Sequence, residues 1–259
     1  MRPLWTGAIG FGLVNIPVKM YSATESSNLD LDMLDKSDNS NIKFQRINEK
    51  TGKVVKWENI VKGFMIGSKY VILDDKDFEK ANAVKTKLIE INEFVDAGEI
   101  NSVYYETPYF LAPDKSGIRP YALLREALKK TNKAGVASFV MRNKENLAII
   151  RAEDDVIILN RIRFAQEIRE TTELNLPKTE DIKSAELKMA ITLINQLSGK
   201  FDIEKYKDTY SAELMKVINA KAKGIKIKVP EMKVVHSKAT DLMEQLKASL
   251  TTSKRKKVS

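Results

Sequence analysis

The side chains that could do chemistry in this sequence are mainly amines and guanidinium groups, because the usual catalytic residues are scarce. The 259 residues include no Cys and a single His, His236. The lack of Cys excludes disulfides, thiolate zinc sites, iron–sulfur clusters and Cys nucleophiles. One His excludes a multi-His metal site and argues against a Ser–His–Asp triad. We therefore expect no catalytic site, no metal and no cofactor.

Short motifs that resemble enzyme signatures occur in the wrong context. Residues 37–39 (Ser-Asp-Asn), 40–43 (Ser-x-x-Lys) and 50–52 (Lys-Thr-Gly) match signatures of penicillin-binding enzymes, but all three crowd around one predicted hairpin. Residues 63–69 are one residue short of a P-loop and lead into a strand, and the glycines in 7–12 reverse the dinucleotide-binding spacing. We interpret each match as chance.

The basic residues are unevenly distributed. The chain has 44 Lys and Arg against 35 Asp and Glu, a net charge of +9. Twelve of these bases and three of these acids lie in residues 215–259, so this C-terminal stretch holds the whole excess and residues 1–214 are neutral. Runs of Lys bind phosphates through charge, in a salt-dependent way and without reading base sequence. The sequence thus predicts nucleic-acid binding by a neutral body with a basic tail.

Candidate phosphate contacts are the Lys and Arg residues that cluster on predicted turns, around one helix and in the tail. They are Lys43, Arg46, Lys53, Lys56, Lys115, Arg119, Arg125, Arg142, Lys144, Arg161, Arg163, Lys221, Lys223, Lys226, Lys228, Lys254, Arg255, Lys256 and Lys257. A short apolar face in the tail suits docking of a partner by helix-in-groove binding. It consists of Leu242, Met243, Leu246 and Leu250.

The elements that would position these residues are mostly strands. Alternating and short apolar runs predict extended segments at 8–21, 42–47, 53–57, 69–73, 88–95, 103–111, 136–142, 147–152 and 155–162. Helices are predicted at 74–83 and at 120–131, where Leu123, Leu124, Ala127 and Leu128 form one apolar face. About eight strands at such short spacing indicate a barrel or a sandwich.

The pattern becomes helical after Pro177. Helices are predicted at 184–198, with Ser184 as N-cap, at 203–222, ended by Gly224, and at 241–250, with Thr240 as N-cap. The apolar stripes of the first two should pack in a core or at a dimer interface. With no membrane-length apolar run and no secretory signal, we expect a soluble cytoplasmic protein associated with the nucleoid.

Several segments, in matching order, resemble prokaryotic Ku, the DNA-end-binding protein of non-homologous end joining. The N-terminal stretch 4–19 (LWTGAIGFGLVNIPVK) is similar to the start of that family. Further likenesses lie at 60–64, 121–128, 147–151, 186–190 and 201–210, so that the resemblance covers about residues 1–222 in register.

The resemblance implies a mixed, β-rich fold with α-helices. Residues 1–176 would form a Ku-type β-barrel core of seven or eight strands, with a DNA-bridging arm at about 25–70. A helical C-terminal region at 177–223 would pack on the core or at the dimer interface, and 224–259 would be a basic, largely flexible tail. Many family members have a Cys-x-x-Cys pair at the position of residues 48–51, which this chain lacks.

The resemblance also implies a function without catalysis. Two subunits would form a ring that threads onto ends of linear double-stranded DNA and recruits DNA ligase D. Bases should then line the hole and acids face outward, since residues 1–214 are neutral. Two alternatives remain open from the residues alone: a lysine-based Schiff-base lyase acting on abasic ends, and a general nucleoid architectural protein that binds DNA through its tail.

Overall fold

The computed structural model describes residues 1–81, 87–142, 144–178, 182–225 and 242–256. They form two compact units, one of residues 1–26 and 30–170, the other of 27–29 and 171–259. The strands are β1 (Trp5–Phe11), β2 (Val14–Ser22), β3 (Lys62–Ile66), β4 (Lys69–Leu73), β5 (Leu88–Asp96), β6 (Tyr105–Pro113), β7 (Lys133–Met141), β8 (Lys144–Glu153) and β9 (Val156–Ile162). The helices are α1 (Asp75–Ala81), α2 (Ile118–Thr131), α3 (Ser184–Leu197), α4 (Thr209–Ala222) and α5 (Leu242–Lys256).

Seven strands of the first unit close a barrel in the order β1-β2-β6-β9-β8-β7-β5. Every neighbouring pair is antiparallel except β1 and β5, which run parallel. Alternate residues point inward, so Ile157 and Leu159 of β9 and Ala148 and Ile150 of β8 are completely buried. This closed barrel and the helices that follow confirm the predicted fold class.

The glycine-rich start of the chain allows close packing where the barrel closes. The segment predicted as one extended stretch is a hairpin of β1 and β2, which turns at Gly12 with φ of 56°. The indole Nε1 of Trp5 donates to the carbonyl oxygen of Val140 at 3.1 Å, so the indole links β1 to β7. The ring folds over Gly7, where a Cβ would collide with it and with the backbone oxygen of Lys87. Only glycine fits there.

Helix α2 covers one end of the barrel with a face that agrees with the predicted one only in part. Tyr121, Leu124 and Leu128 are buried, whereas Leu123 is 72% exposed. The Tyr121 hydroxyl donates to the carbonyl oxygen of Leu111 at 2.6 Å and accepts from the amide of Ile157 at 2.7 Å. Burial raises the pKa of this phenol above its ordinary value. The helix is therefore pinned to β6 and β9 by one side chain.

A long insert, residues 23–87, separates β2 from β5. Its strands β3 and β4 pair with each other around Gly67, whereas the predicted hairpin at 42–57 keeps its turn but has only one bridge, between Ile47 and Val54. The predicted helix at 74–83 is confirmed as α1 within the described residues. Large apolar side chains of the insert are exposed, among them Phe44 (80%) and Trp57 (72%). A single chain does not bury them.

The second unit contains helices close to those predicted, with different caps. The residue that caps α3 is Lys183 rather than Ser184, and it makes no side-chain capping bond. Helix α4 starts six residues later than predicted, at Thr209, behind Asp208, whose carboxylate accepts from two backbone amides of the first turn. Helix α5 extends to Lys256 and packs against α3. Thr240 lies outside the described residues, within which no helix is long and apolar enough to span a membrane.

Candidate nucleic-acid interface

The two ends of the barrel differ in character. Strand pairing places the ends of β2, β7 and β9 and the starts of β5, β6 and β8 at one end, which we call the mouth. The β1–β2 turn and α2 lie at the other end, since Phe11, Val14 and Leu128 line a common apolar pocket there. The insert leaves β2 after Ser22 and returns at Leu88. It therefore begins and ends at the mouth.

Three of the predicted DNA contacts converge in a pocket of about 380 Å³ at the mouth. Arg142, Lys144 and Arg161 line it together with Asn146 and Tyr109. Lys144 and Asn146 continue the inward-facing row of β8, and Arg161 continues that of β9. The barrel interior thus changes from aliphatic to cationic in its last residues, where water and ligands can reach it.

One of the three cations of the mouth pocket is held in an ion pair. Arg161 donates from Nε and Nη2 to the two carboxylate oxygens of Glu106, at 3.0 and 2.6 Å, a bidentate arrangement that orients its guanidinium. Within the described residues, Arg142 and Lys144 make no ion pair. The pocket therefore keeps two uncompensated positive charges beside an oriented third one. Arg163, just beyond β9, donates to the carbonyl oxygen of Tyr105 at 3.2 Å.

The insert carries a second group of predicted contacts, Lys43, Arg46, Lys53 and Lys56, all exposed. The guanidinium of Arg46 lies 4.5 Å from the ring centroid of Trp57. Lys56 approaches Glu58 at 3.9 Å, an exposed pair of little energetic weight. These side chains are accessible to a phosphate backbone, and stacking on Trp57 restricts the guanidinium of Arg46.

The cations around α2 do not join the mouth. Lys115 and Arg119 lie at the opposite end of the barrel. The amide of Lys115 and the charge of Lys19 hold the pKa of Asp114 below its usual value, which organises this turn. Arg125 pairs with the carboxylate of Glu126 at 2.9 Å, and its Nη1 donates to the carbonyl oxygen of Asp155 at 2.9 Å.

The tail residues are only partly described. Lys221 and Lys223 are exposed at the end of α4, and Lys254, Arg255 and Lys256 lie in α5. Lys226, Lys228 and Lys257 lie outside the described residues. Of the predicted docking face, Met243, Leu246 and Leu250 are half-buried and Leu242 begins α5, the helix that packs against α3. Docking and tail contacts remain predictions.

Sequence reasoning missed the residues that shape the mouth pocket. Glu106, Tyr109 and Asn146 carry no basic charge, so a search for Lys and Arg passed over them. The inward alternation of β8 would have placed Asn146 beside Lys144. No group of acidic residues and His that could hold a metal occurs in the described part of the chain.

Comparisons with known proteins point in one direction. The family model of the Ku70/Ku80 beta-barrel domain matches residues 10–189. A protein of Coxiella burnetii named non-homologous end joining protein Ku is 41% identical over 258 residues, which cover 96% of this chain and 94% of the relative. A protein of the same name from Archaeoglobus fulgidus is 40% identical, over 96% of this chain and 98% of the relative. Another from Bacillus subtilis is 36% identical, over 98% of this chain and 83% of the relative.

Proposed function

Because the chain belongs to the Ku family, we propose that it binds the ends of linear double-stranded DNA, without sequence specificity, in non-homologous end joining. The observation that carries this is the convergence of Arg142, Lys144 and Arg161 at the mouth from which the insert extends. The relatives are named for end joining, a process that must accept any sequence.

The distribution of charge supports binding to the DNA backbone. Residues 1–214 carry no net charge, yet cations gather at the mouth and in residues 43–56 of the insert. Positive side chains at one end of the barrel give a local field that attracts phosphates without a large overall charge. Phosphate contacts position a duplex but carry no sequence information, as end joining requires.

We further propose that two chains form a ring around the duplex. The insert exposes Phe44 and Trp57, and α3 exposes Ile194 (63%) and Leu197 (69%). Apolar surfaces on this scale mark protein–protein contacts. A second copy of the chain would cover them and close a hole that DNA enters only at an end. In this proposal 1–176 is the core, about 25–70 the bridging arm, and 177–223 the helical region of the dimer.

Recruitment of DNA ligase D is assigned to the tail, 224–259. The Lys and Arg residues of the tail can add contacts to DNA phosphates in the nucleoid. Its helix α5 offers an amphipathic face for docking. Because α5 packs against α3, docking through Met243, Leu246 and Leu250 requires α5 to exchange that contact for the ligase. Alanine at Leu246 and Leu250 should therefore weaken ligase binding while DNA-end binding is unchanged.

Threading is tested with one plasmid in two forms. We expect tight binding to the linearised plasmid and much weaker binding to the covalently closed circle at the same moderate salt concentration. Equal affinity for both forms would refute the ring. Deletion of 223–259 should weaken end binding without abolishing it; near-total loss would favour an architectural protein that binds through its tail. A covalent adduct trapped by borohydride on an abasic end would favour the lyase.

A further inference from the structure

In four hairpins the last described strand pair leaves two residues between its members, and the first of these two residues has the same backbone conformation. They connect Phe11 to Val14, Ile66 to Lys69, Met141 to Lys144 and Glu153 to Val156. The first turn residue has positive φ in each of them, at Gly12 (56°), Gly67 (60°), Arg142 (53°) and Asp154 (46°). The left-handed region favours Gly, Asn and Asp at that position of a hairpin. Three of the four turns follow this preference.

Arg142 is the exception. A long side chain gains nothing from the left-handed conformation, and its Cβ crowds the following carbonyl group there. The same type of turn between β8 and β9 uses Asp154, so the barrel accommodates a favourable residue at such a site. Strained positions that persist are frequently functional. Arg142 lines the mouth pocket together with Lys144 and Arg161.

The mouth pocket has the composition of an oxyanion site. Arg142 and Lys144 contribute two positive charges that no described ion pair neutralises, and Arg161 is oriented by Glu106. Asn146 lines the same pocket and is 6% exposed. A volume of about 380 Å³ accommodates a phosphate group with its sugar but is far smaller than a duplex.

We propose that the mouth pocket is a phosphate subsite and that Arg142 is its specificity-determining residue, maintained at the expense of turn stability. This rests on the proposed function where the phosphate belongs to DNA. Two sources share the chemistry: an internal phosphodiester of the duplex, or the terminal phosphate of the DNA end. The terminal group carries up to about two negative charges at neutral pH and the diester one.

The test pairs stability with anion binding in three full-length proteins: wild type, Arg142→Asn and the matched control Asp154→Gly. Both substitutions place a favourable residue at a positive-φ turn, so Arg142→Asn should raise the melting temperature by about 2–4 °C. Inorganic pyrophosphate should raise the melting temperature of wild type and Asp154→Gly equally, and that of Arg142→Asn much less. A lower melting temperature of Arg142→Asn, or an unchanged pyrophosphate response, would overturn the proposal.

DNA binding identifies the source of the phosphate. Arg142→Asn should lower the slope of log affinity against log salt by about 0.9, the value for one lost contact to B-DNA. A loss that is equal for duplexes with 5′-phosphate and 5′-hydroxyl ends assigns the pocket to the backbone, and a loss confined to phosphorylated ends assigns it to the terminus. No change on either duplex overturns the subsite. Failure of wild type to prefer linear DNA would refute the proposed function alone, because the pyrophosphate measurement does not depend on DNA.

Discussion

Replacement of Tyr121 by Phe should destabilise the barrel through two backbone groups and not through lost packing. The ring is 5% exposed and Phe preserves it, so only the hydroxyl is removed. That hydroxyl lies between the carbonyl oxygen of Leu111 and the amide of Ile157, residues that face each other across β6 and β9. It takes the place of a direct ladder bond at the end of this pair of strands.

The geometry sets the size of the effect. The oxygen is 2.6 Å from one partner and 2.7 Å from the other, so these two atoms are separated by about 4.5 Å at an ordinary hydroxyl angle. They cannot pair directly in Tyr121→Phe unless β6 and β9 move together. An unsatisfied buried polar group costs about 1–3 kcal/mol, and two of them predict a loss of about 3 kcal/mol in the free energy of unfolding.

Urea unfolding followed by circular dichroism measures this loss. The matched control is Tyr109→Phe, since the Tyr109 ring is also buried but its hydroxyl makes no hydrogen bond to the described residues. We expect the control to change stability by less than about 0.5 kcal/mol. If Tyr121→Phe also changed the free energy of unfolding by less than about 0.5 kcal/mol, the backbone groups of Leu111 and Ile157 would not depend on the hydroxyl. The role of the Tyr121 hydroxyl as a link between β6 and β9 would then be refuted.

The same hydroxyl predicts a pH dependence. Burial raises the pKa of Tyr121 in the folded protein, so the unfolded chain loses this proton first as pH rises. Its contribution to stability is full below pH about 10 and decreases as pH rises toward the folded pKa. Tyr121→Phe should be less sensitive to pH in that window, and an identical decline in both proteins would contradict the assignment.

Two further substitutions test other positions. Gly7→Ala should lower the free energy of unfolding in urea by about 1–3 kcal/mol, because the added Cβ meets the Trp5 ring and the backbone of Lys87. Gly98→Ala is the control, since there is open space around Gly98. Equal effects of the two substitutions would refute the steric argument. Asp208→Ala should lower the melting temperature, because it removes the carboxylate that caps α4. Hydrogen bonds from Ser211 and Tyr210 lower the pKa of Asp208 in the folded protein. The stabilisation by this carboxylate is therefore present above the ordinary pKa of 3.8 and is lost as pH falls through the folded pKa. Asp208→Asn should retain a cap without that pH dependence, and a wild-type protein equally stable across this acid range would contradict the prediction.

The barrel could be predicted from the sequence because period-two alternation survives in its strands. Ile16, Val18 and Met20 of β2 show it clearly, since all three are completely buried and alternate with more exposed residues. Helix α2 was harder to place. Leu123 is apolar and was predicted to lie in the core, but Tyr121 occupies the buried position instead. The Tyr121 hydroxyl makes hydrogen bonds to two backbone groups there. Such a choice depends on strands that are distant in sequence, which periodicity cannot show.

The candidate site was predictable in part for the same reason. Lys144 and Arg161 follow inward-facing rows, so strand parity would have brought them together at the mouth. Arg125 has the same charge but is held by Glu126 and by the backbone of Asp155. Tertiary contacts decide whether a cation is paired with neighbouring groups or is available to bind phosphate. The net charge of the sequence does not reveal these contacts.

The insert also bears on how the barrel folds and tolerates change in length. Residues 23–87 leave and re-enter at one end of the barrel, so they act as a single loop that must close before β1 can pair with β5. Closure entropy grows only with the logarithm of loop length, so an eightfold shorter connection would gain about 2 kcal/mol. An insert of this size is thus thermodynamically inexpensive, while it makes the parallel pairing a non-local and late event in folding. The length of the insert can consequently change with little effect on the stability of the barrel.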